Sequence, residues 1–232
     1  MPFLSFPPNS CYIATPLSAF QKGKGTTAMR KSRSIIFVLA ITFLAAFSVR
    51  AQELTQAEKD KALKYLESTK QDVLDATKGL SSAQWNFKPG PDRWSIAECM
   101  EHIAAAEDFI RENIANGVMK APAVPGRDVV AIDAAIIENV PARKTKVQAP
   151  EPIKPTNRYG SPEASIQHFV ESRATTEEFL KTTPGLRDHA ADSPTGAAKW
   201  DAYEYILLIA AHSERHTNQI KEVKADPNYP KS

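Results

Sequence analysis

The chain has little cysteine, no apolar run of bilayer length and no basic stripe, and each shortage removes a class of protein. The apolar run Ile35 to Phe47 holds thirteen residues. A spanning helix needs about 20, so a permanent membrane anchor is not expected. No Lys/Arg stripe and no DNA- or RNA-binding motif is present, which argues against a nucleic-acid partner. The cysteines are Cys11 and Cys99 alone. The zinc-protease pattern His-Glu-x-x-His is missing, as are internal repeats and any convincing strand after residue 51.

What is present at the start reads as an export signal. Met29-Arg-Lys-Ser-Arg-Ser is basic, Ile35 to Phe47 is apolar, and Val49-Arg50-Ala51 puts small residues at the −3 and −1 positions of a cleavage site. Basic start, short apolar core and small-residue site are the parts of a secretory signal peptide. A buried core helix is the alternative for the same run. No cysteine follows the cleavage site, which argues against a lipid anchor. Residues 1–28 are expected to be a disordered leader or a mis-assigned start, with 29–51 the signal peptide and 52–232 one domain. The expected location is periplasmic or extracellular, with no stable membrane anchor after cleavage.

Removing the leader reverses the charge. Residues 1–51 hold six of the 29 Lys/Arg and none of the 27 Asp/Glu, so the 181 residues from Gln52 carry a net charge of −4. Cys11 is lost with the leader. Cys99 then stands alone, so no intramolecular disulfide can form, and a buried role is expected for it.

Residues 52–232 read as almost all helix. Thr55 and Glu58 form a capping box opening a first helix from Leu54 to about Lys78, with Leu63, Leu66, Val73, Leu74 and Tyr65 as its apolar face. Ser81 to Arg93 reads as a loop. Ser95, with Glu98 at the capping-box position, opens a second helix to about Val118. It carries one stripe of Ile96, Met100, Ile103, Glu107, Ile110 and Ile114, and a second of Cys99, His102, Ala106 and Phe109. A short helix is expected at 128–139. Lys144 to Ser161 is proline-rich and should be an extended connection. A third main helix from Pro162 to Thr182 turns Ile166, Phe169, Val170 and Leu180 inward, and a fourth runs from Lys199 to Lys224. The fold class is all-α: a four-helix bundle with a long crossover between the second and third main helices.

Three histidines carry the chemistry. In His212-Ser-Glu-Arg-His216 the pair lies at i and i+4, on one helix face. Tyr205, Ile209, His212, His216, Ile220 and Val223 follow helical spacing, so the pair interrupts an apolar stripe and points into the bundle. His102 points inward from the second helix. Three such imidazoles could hold one divalent cation and leave a position open, as catalytic sites do. Ordinary core histidines are the plainer alternative. Glu214 follows His212 by two residues, roughly 200° around the helix, and cannot act as a base beside the same ion. Glu98 and Glu107 are the candidate carboxylates for backing a ligand or moving a proton; a helix cap and an exposed edge are their plainer roles. Trp85 and Trp94 are candidates to line a pocket. His168 and His189 lack a partner at ligand spacing and read as edge or surface residues.

Trp94-Ser-Ile-Ala-Glu-Cys-Met-Glu-His102 followed by His212-Ser-Glu-Arg-His216-Thr-Asn-Gln-Ile220 resembles the DinB-like superfamily. Trp85-Asn-Phe-Lys-Pro89 and Arg93 are similar to the loop before its second helix. The resemblance covers about residues 54–224. It implies a four-helix bundle with a crossover, and a divalent metal, zinc or nickel, held by His102, His212 and His216. Characterised members include thiol S-transferases, a mycothiol-dependent isomerase and metal-dependent hydrolases. The thiol-using members work in the cytoplasm, whereas this chain carries an export signal.

Two functions follow as expectations. One is a metal-dependent enzyme, hydrolase or thiol S-transferase, acting on a small molecule. The other is a non-catalytic envelope protein that binds metal or a partner. The catalytic residues, the substrate and the oligomeric state, a homodimer among the options, are left open by the sequence.

Overall fold

The computed structural model describes residues 53–144 and 147–231. The leader, the signal peptide and Cys11 lie outside the described residues. Local signals set the first elements. Thr55 and Glu58 exchange both capping-box bonds at the start of helix α1, Gln56–Thr77. Ser95 and Glu98 do the same for α3, Ile96–Asn116. Between them the expected loop contains a short helix, α2, Ser82–Asn86, capped by Ser81 and Gln84. Helix α4 spans Val129–Asn139 behind an Asp128 cap. Helix α5 spans Pro162–Thr182, with proline in its first turn, where it has no bond to lose.

The last long helix begins later than the sequence pattern indicates. Lys199–Asp201 is strand β2, paired antiparallel with β1, Ala190–Asp192. Asp201 then caps α6, Ala202–Lys224, in a further capping box with Glu204. The expectation of no strand therefore fails over this one short ribbon. Three residues per strand are too few for a period-2 pattern to show.

α1, α3, α5 and α6 form the bundle. α1 packs on α5 and α6, and α3 packs on the same two. Side-chain pairs fix the directions. Asp108 meets His168 while Arg111 meets Ser172 and Thr176, so α3 and α5 run parallel. Tyr203 bonds Glu58, Tyr65 bonds Glu214 and Lys224 bonds Ala76, so α1 and α6 are parallel as well. Parallel neighbours cannot be joined by a short turn. The chain between α3 and α5 must travel back along the bundle, and that is the crossover. It carries α4 and a 3-10 turn, Glu151–Ile153. Among the described residues no helix is long and apolar enough to cross a membrane.

Two apolar clusters fill the interior. One includes Leu66, Ile114, Ile136, Leu180, Tyr203, Ile206 and Ile209. The other includes Val73, Trp85, Met100, Ile103, Phe169, Ile220 and Val223. On α1 the buried stripe is Ala62, Leu66, Thr69, Val73 and Thr77. Leu63, Tyr65 and Leu74 are only partly buried, and the threonines can take buried positions because their hydroxyls donate to the preceding turn, Thr69 to Tyr65 O at 2.9 Å and Thr77 to Val73 O at 2.8 Å. On α5, Val170 is exposed rather than inward, and Arg173 takes the buried position. Loss of the α3 cap in Ser95→Ala should cost about 1 kcal/mol, readable as a lower urea midpoint at unchanged slope.

Candidate metal centre

Helices α3 and α6 run antiparallel and bring the three histidines together. Ring centroids are 4.9 Å apart for His102 and His212, 4.5 Å for His102 and His216, and 4.4 Å for His212 and His216. One ligand nitrogen from each lies within 4.8 Å of the others. His102 Nε2 and His212 Nε2 are 3.1 Å apart. Two nitrogens bound to one tetrahedral zinc at 2.0–2.1 Å would be separated by about 3.3 Å, close to that edge. The longest edge is wider, so an ion would draw the rings together.

Hydrogen bonds select the ring tautomers. His102 Nδ1 lies 2.7 Å from Ile153 O. A carbonyl oxygen only accepts, so Nδ1 carries the proton and Nε2 keeps its lone pair. His216 Nδ1 lies 3.0 Å from Gln219 Oε1. The same oxygen accepts from Arg143 Nη1 at 3.1 Å. The guanidinium has no acceptor, so the Gln219 atom facing it must be its oxygen, and His216 Nδ1 is a donor too. Both Nε2 atoms therefore lack a proton and can ligate, His102 Nε2 once it gives up the bond it accepts from His212 Nε2. Ligating histidines usually tie back their second nitrogen in this way.

Burial keeps the rings neutral. It pushes His102 down to about 4, with the bond to Ile153 opposing and Arg158 assisting. His212 and His216 lie well below the ordinary histidine value, through burial first and neighbouring rings and guanidinium groups second. His102 and His216 are buried, while His212 is partly buried. Below about pH 6.5 the unfolded chain takes up protons that the folded triad refuses. Stability of the metal-free protein should therefore fall on acidification, for His102 from about pH 6.5 to about 4, at roughly 1.4 kcal/mol per pH unit for each imidazole. Denaturant titrations across that range, with the triply substituted protein as reference, measure it.

The other residues singled out in the sequence divide. Trp94 covers the centre, 4.8 Å from the His102 ring and stacked on His216 at 6.0 Å. Trp85 is buried in an apolar cluster and also lines a cleft with Leu74, Thr77, Leu80 and Ile166, which includes none of the three histidines. Glu98 accepts from Ser95 N and pairs with Lys88 at 2.7 Å, so it is a helix cap. Glu107 is buried, not an exposed edge, and both its oxygens accept from Arg173, at 2.8 and 2.9 Å. Neither carboxylate is aimed at the rings. Glu214 accepts from Tyr65 at 2.7 Å, as its place on α6 requires. Cys99 is fully buried, and burial pushes its thiol up, so it is inert. His168 pairs with Asp108 at 2.5 Å and stacks on Tyr159, and His189 bonds Ala121 O at 2.7 Å. Both stay outside the centre, although His168 has a partner that its sequence spacing does not reveal. Ile153, Gln219 and Glu101 escape the sequence reading. The spacing His216-x-x-Gln219, one helical turn, is the signal that could have found Gln219.

The sequence matches the DinB superfamily over residues 65–220, more than half of the chain and a span that includes all three histidines. The chain belongs to the DinB superfamily. Among its relatives is the uncharacterized protein YuaE of Bacillus subtilis (strain 168). It is 26% identical over 156 residues, which cover 63% of this chain and 87% of YuaE. Among solved structures, YfiT from Bacillus subtilis is described as a probable metal-dependent hydrolase with an unusual four-helix bundle topology. It aligns with a TM-score of 0.48 at 14% identity, over 76% of this chain and 91% of YfiT.

Proposed function

We propose that this DinB-superfamily chain is an exported, divalent-metal-dependent enzyme in which His102, His212 and His216 hold zinc or nickel. The observation that carries the proposal is the convergence of three neutral imidazoles, two of them with their Nδ1 protons tied back so that Nε2 lacks a proton. Nothing in a hydrophobic bundle requires that arrangement, and it leaves the Nε2 atoms of His102 and His216 unprotonated in a buried centre. When bound, such an ion supplies Lewis acidity toward a substrate oxygen or thiolate.

The chain's own contribution is orientation and shielding. Trp94 closes one side of the centre and excludes water there. With three uncharged ligands the centre favours an anionic partner. Glu98 and Glu107 are both committed elsewhere, so no carboxylate is assigned as base. Hydrolysis is favoured over thiol transfer because an exported protein meets little low-molecular-weight thiol. Export itself rests on the pattern of residues 29–51.

The test is a panel of ester, amide and phosphoester substrates offered to zinc- and nickel-loaded protein. Turnover that a chelator abolishes and the metal restores is expected. Turnover only with added thiol would reassign the chain as a transferase. Metal binding without turnover of any substrate, with or without thiol, would instead identify the non-catalytic envelope protein.

A further inference from the structure

Beside His102, on the same turn of α3, Glu101 is buried yet binds none of the rings. Its carboxylate faces the crossover. Thr156 N, Asn157 N and Arg158 N donate to it at 2.7, 2.8 and 3.1 Å. Three successive backbone donors can converge on one carboxylate only where the chain curls into a concave nest, and Asn157 supplies the curl with φ 61°. Burial works to raise the Glu101 carboxyl, but these donors and the Arg158 side chain hold it below its ordinary value, as an anion.

Arg158 extends the connection. Its Nε donates to Glu101 Oε1 at 3.3 Å. Its Nη1 and Nη2 donate at 2.8 Å to Pro152 O and Lys154 O, the carbonyls on either side of Ile153. The Ile153 carbonyl is the one that accepts from His102 Nδ1. A carboxylate on α3 thus grips the crossover, and the gripped guanidinium fixes both neighbours of the single oxygen that selects the His102 tautomer.

We propose that Glu101 and Arg158 are positioning residues for the metal centre, which hold the Ile153 carbonyl against His102 and so keep His102 Nε2 aimed at the ion. This rests on the metal-dependent reading of the triad. The bidentate reach to two carbonyls needs the planar fork of arginine. Lysine keeps the charge beside Glu101 but cannot span them.

The test compares wild-type protein with Arg158→Lys, Arg158→Ala and Glu101→Gln by zinc titration against a chelating dye. Proton–nitrogen NMR of the His102 ring is recorded on the metal-free proteins. Both Arg158 variants are expected to bind zinc roughly 10- to 100-fold more weakly, the usual loss when a partner behind a ligand is removed. They should also lose the protected Nδ1–H signal of His102 while their helical circular dichroism stays unchanged. Arg158→Lys is the decisive variant, because its partly exposed side chain can change without unfolding the bundle, so unfolding of Glu101→Gln would not affect the test. Wild-type affinity in Arg158→Lys, or a retained His102 Nδ1–H signal in it, overturns the positioning role while the metal centre stands. Failure of the wild-type protein to bind zinc instead overturns the reading on which the role rests.

Discussion

Replacing His212 with alanine is expected to weaken zinc binding by well over 100-fold and to leave the bundle folded. Loss of a group that merely orients a ligand costs roughly 10- to 100-fold, and His212 is itself one of three proposed ligands. Its Nε2 sits 3.1 Å from that of His102. Two nitrogens on separate helices cannot enclose an ion as three do. The fold should survive because His212 is partly exposed and its partners on α6, Ile209 and Ile220, remain buried. A chelator-competition titration measures the affinity, and far-ultraviolet circular dichroism checks the helices. Affinity within threefold of wild type would remove His212 from the ligand set.

The second large effect concerns stability. Arg173 is fully buried and is shared by all four long helices. From α5 it donates to Glu107 on α3, to Leu66 O and Thr69 Oγ1 on α1, and to Ser213 Oγ on α6. It also lies over the Phe169 ring at 5.0 Å. Arg173→Ala would leave the Glu107 carboxylate buried without a counter-charge, an arrangement that costs about 3–5 kcal/mol. For a domain of this size that lowers Tm by on the order of 10 °C. The double change Arg173→Met with Glu107→Leu removes both charges and should recover much of the loss, since a buried pair contributes little net stability over apolar packing. Thermal and urea unfolding of the three proteins decide it. A loss below 1 kcal/mol in Arg173→Ala would mean that water reaches Glu107.

The same residue shows where the sequence stops being legible. Helix starts were readable because capping is local: Thr55 with Glu58, Ser95 with Glu98, and Pro162 in a first turn each state their role within four residues. Ser81 with Gln84 carries the same local signal, and α2 lies where the prolines of 89–91 suggest only a loop. Burial was less readable. Val170 is apolar but exposed, whereas Arg173, three positions on, is charged and fully buried, because Glu107 offers a partner that no local pattern reveals. The same pairing explains why Glu107 interrupts an apolar stripe.

The metal centre divides in a similar way. Spacing on one helix places His212 beside His216, and inward stripes on two helices bring His102 to them. The groups that orient the rings are a backbone carbonyl at Ile153, contributed by a distant segment, and an amide at Gln219. A carbonyl has no letter of its own in a sequence. Glu101 looks like one more helical acid until the crossover wraps its backbone around it.

The most direct test is the metal content of the full-length protein, purified from metal-replete medium and dialysed, by elemental analysis and native mass spectrometry. Near one zinc or nickel ion per chain is predicted, removable by a chelator and taken up again on titration. Protein that arrives metal-free and takes up no divalent ion would contradict the three-histidine centre.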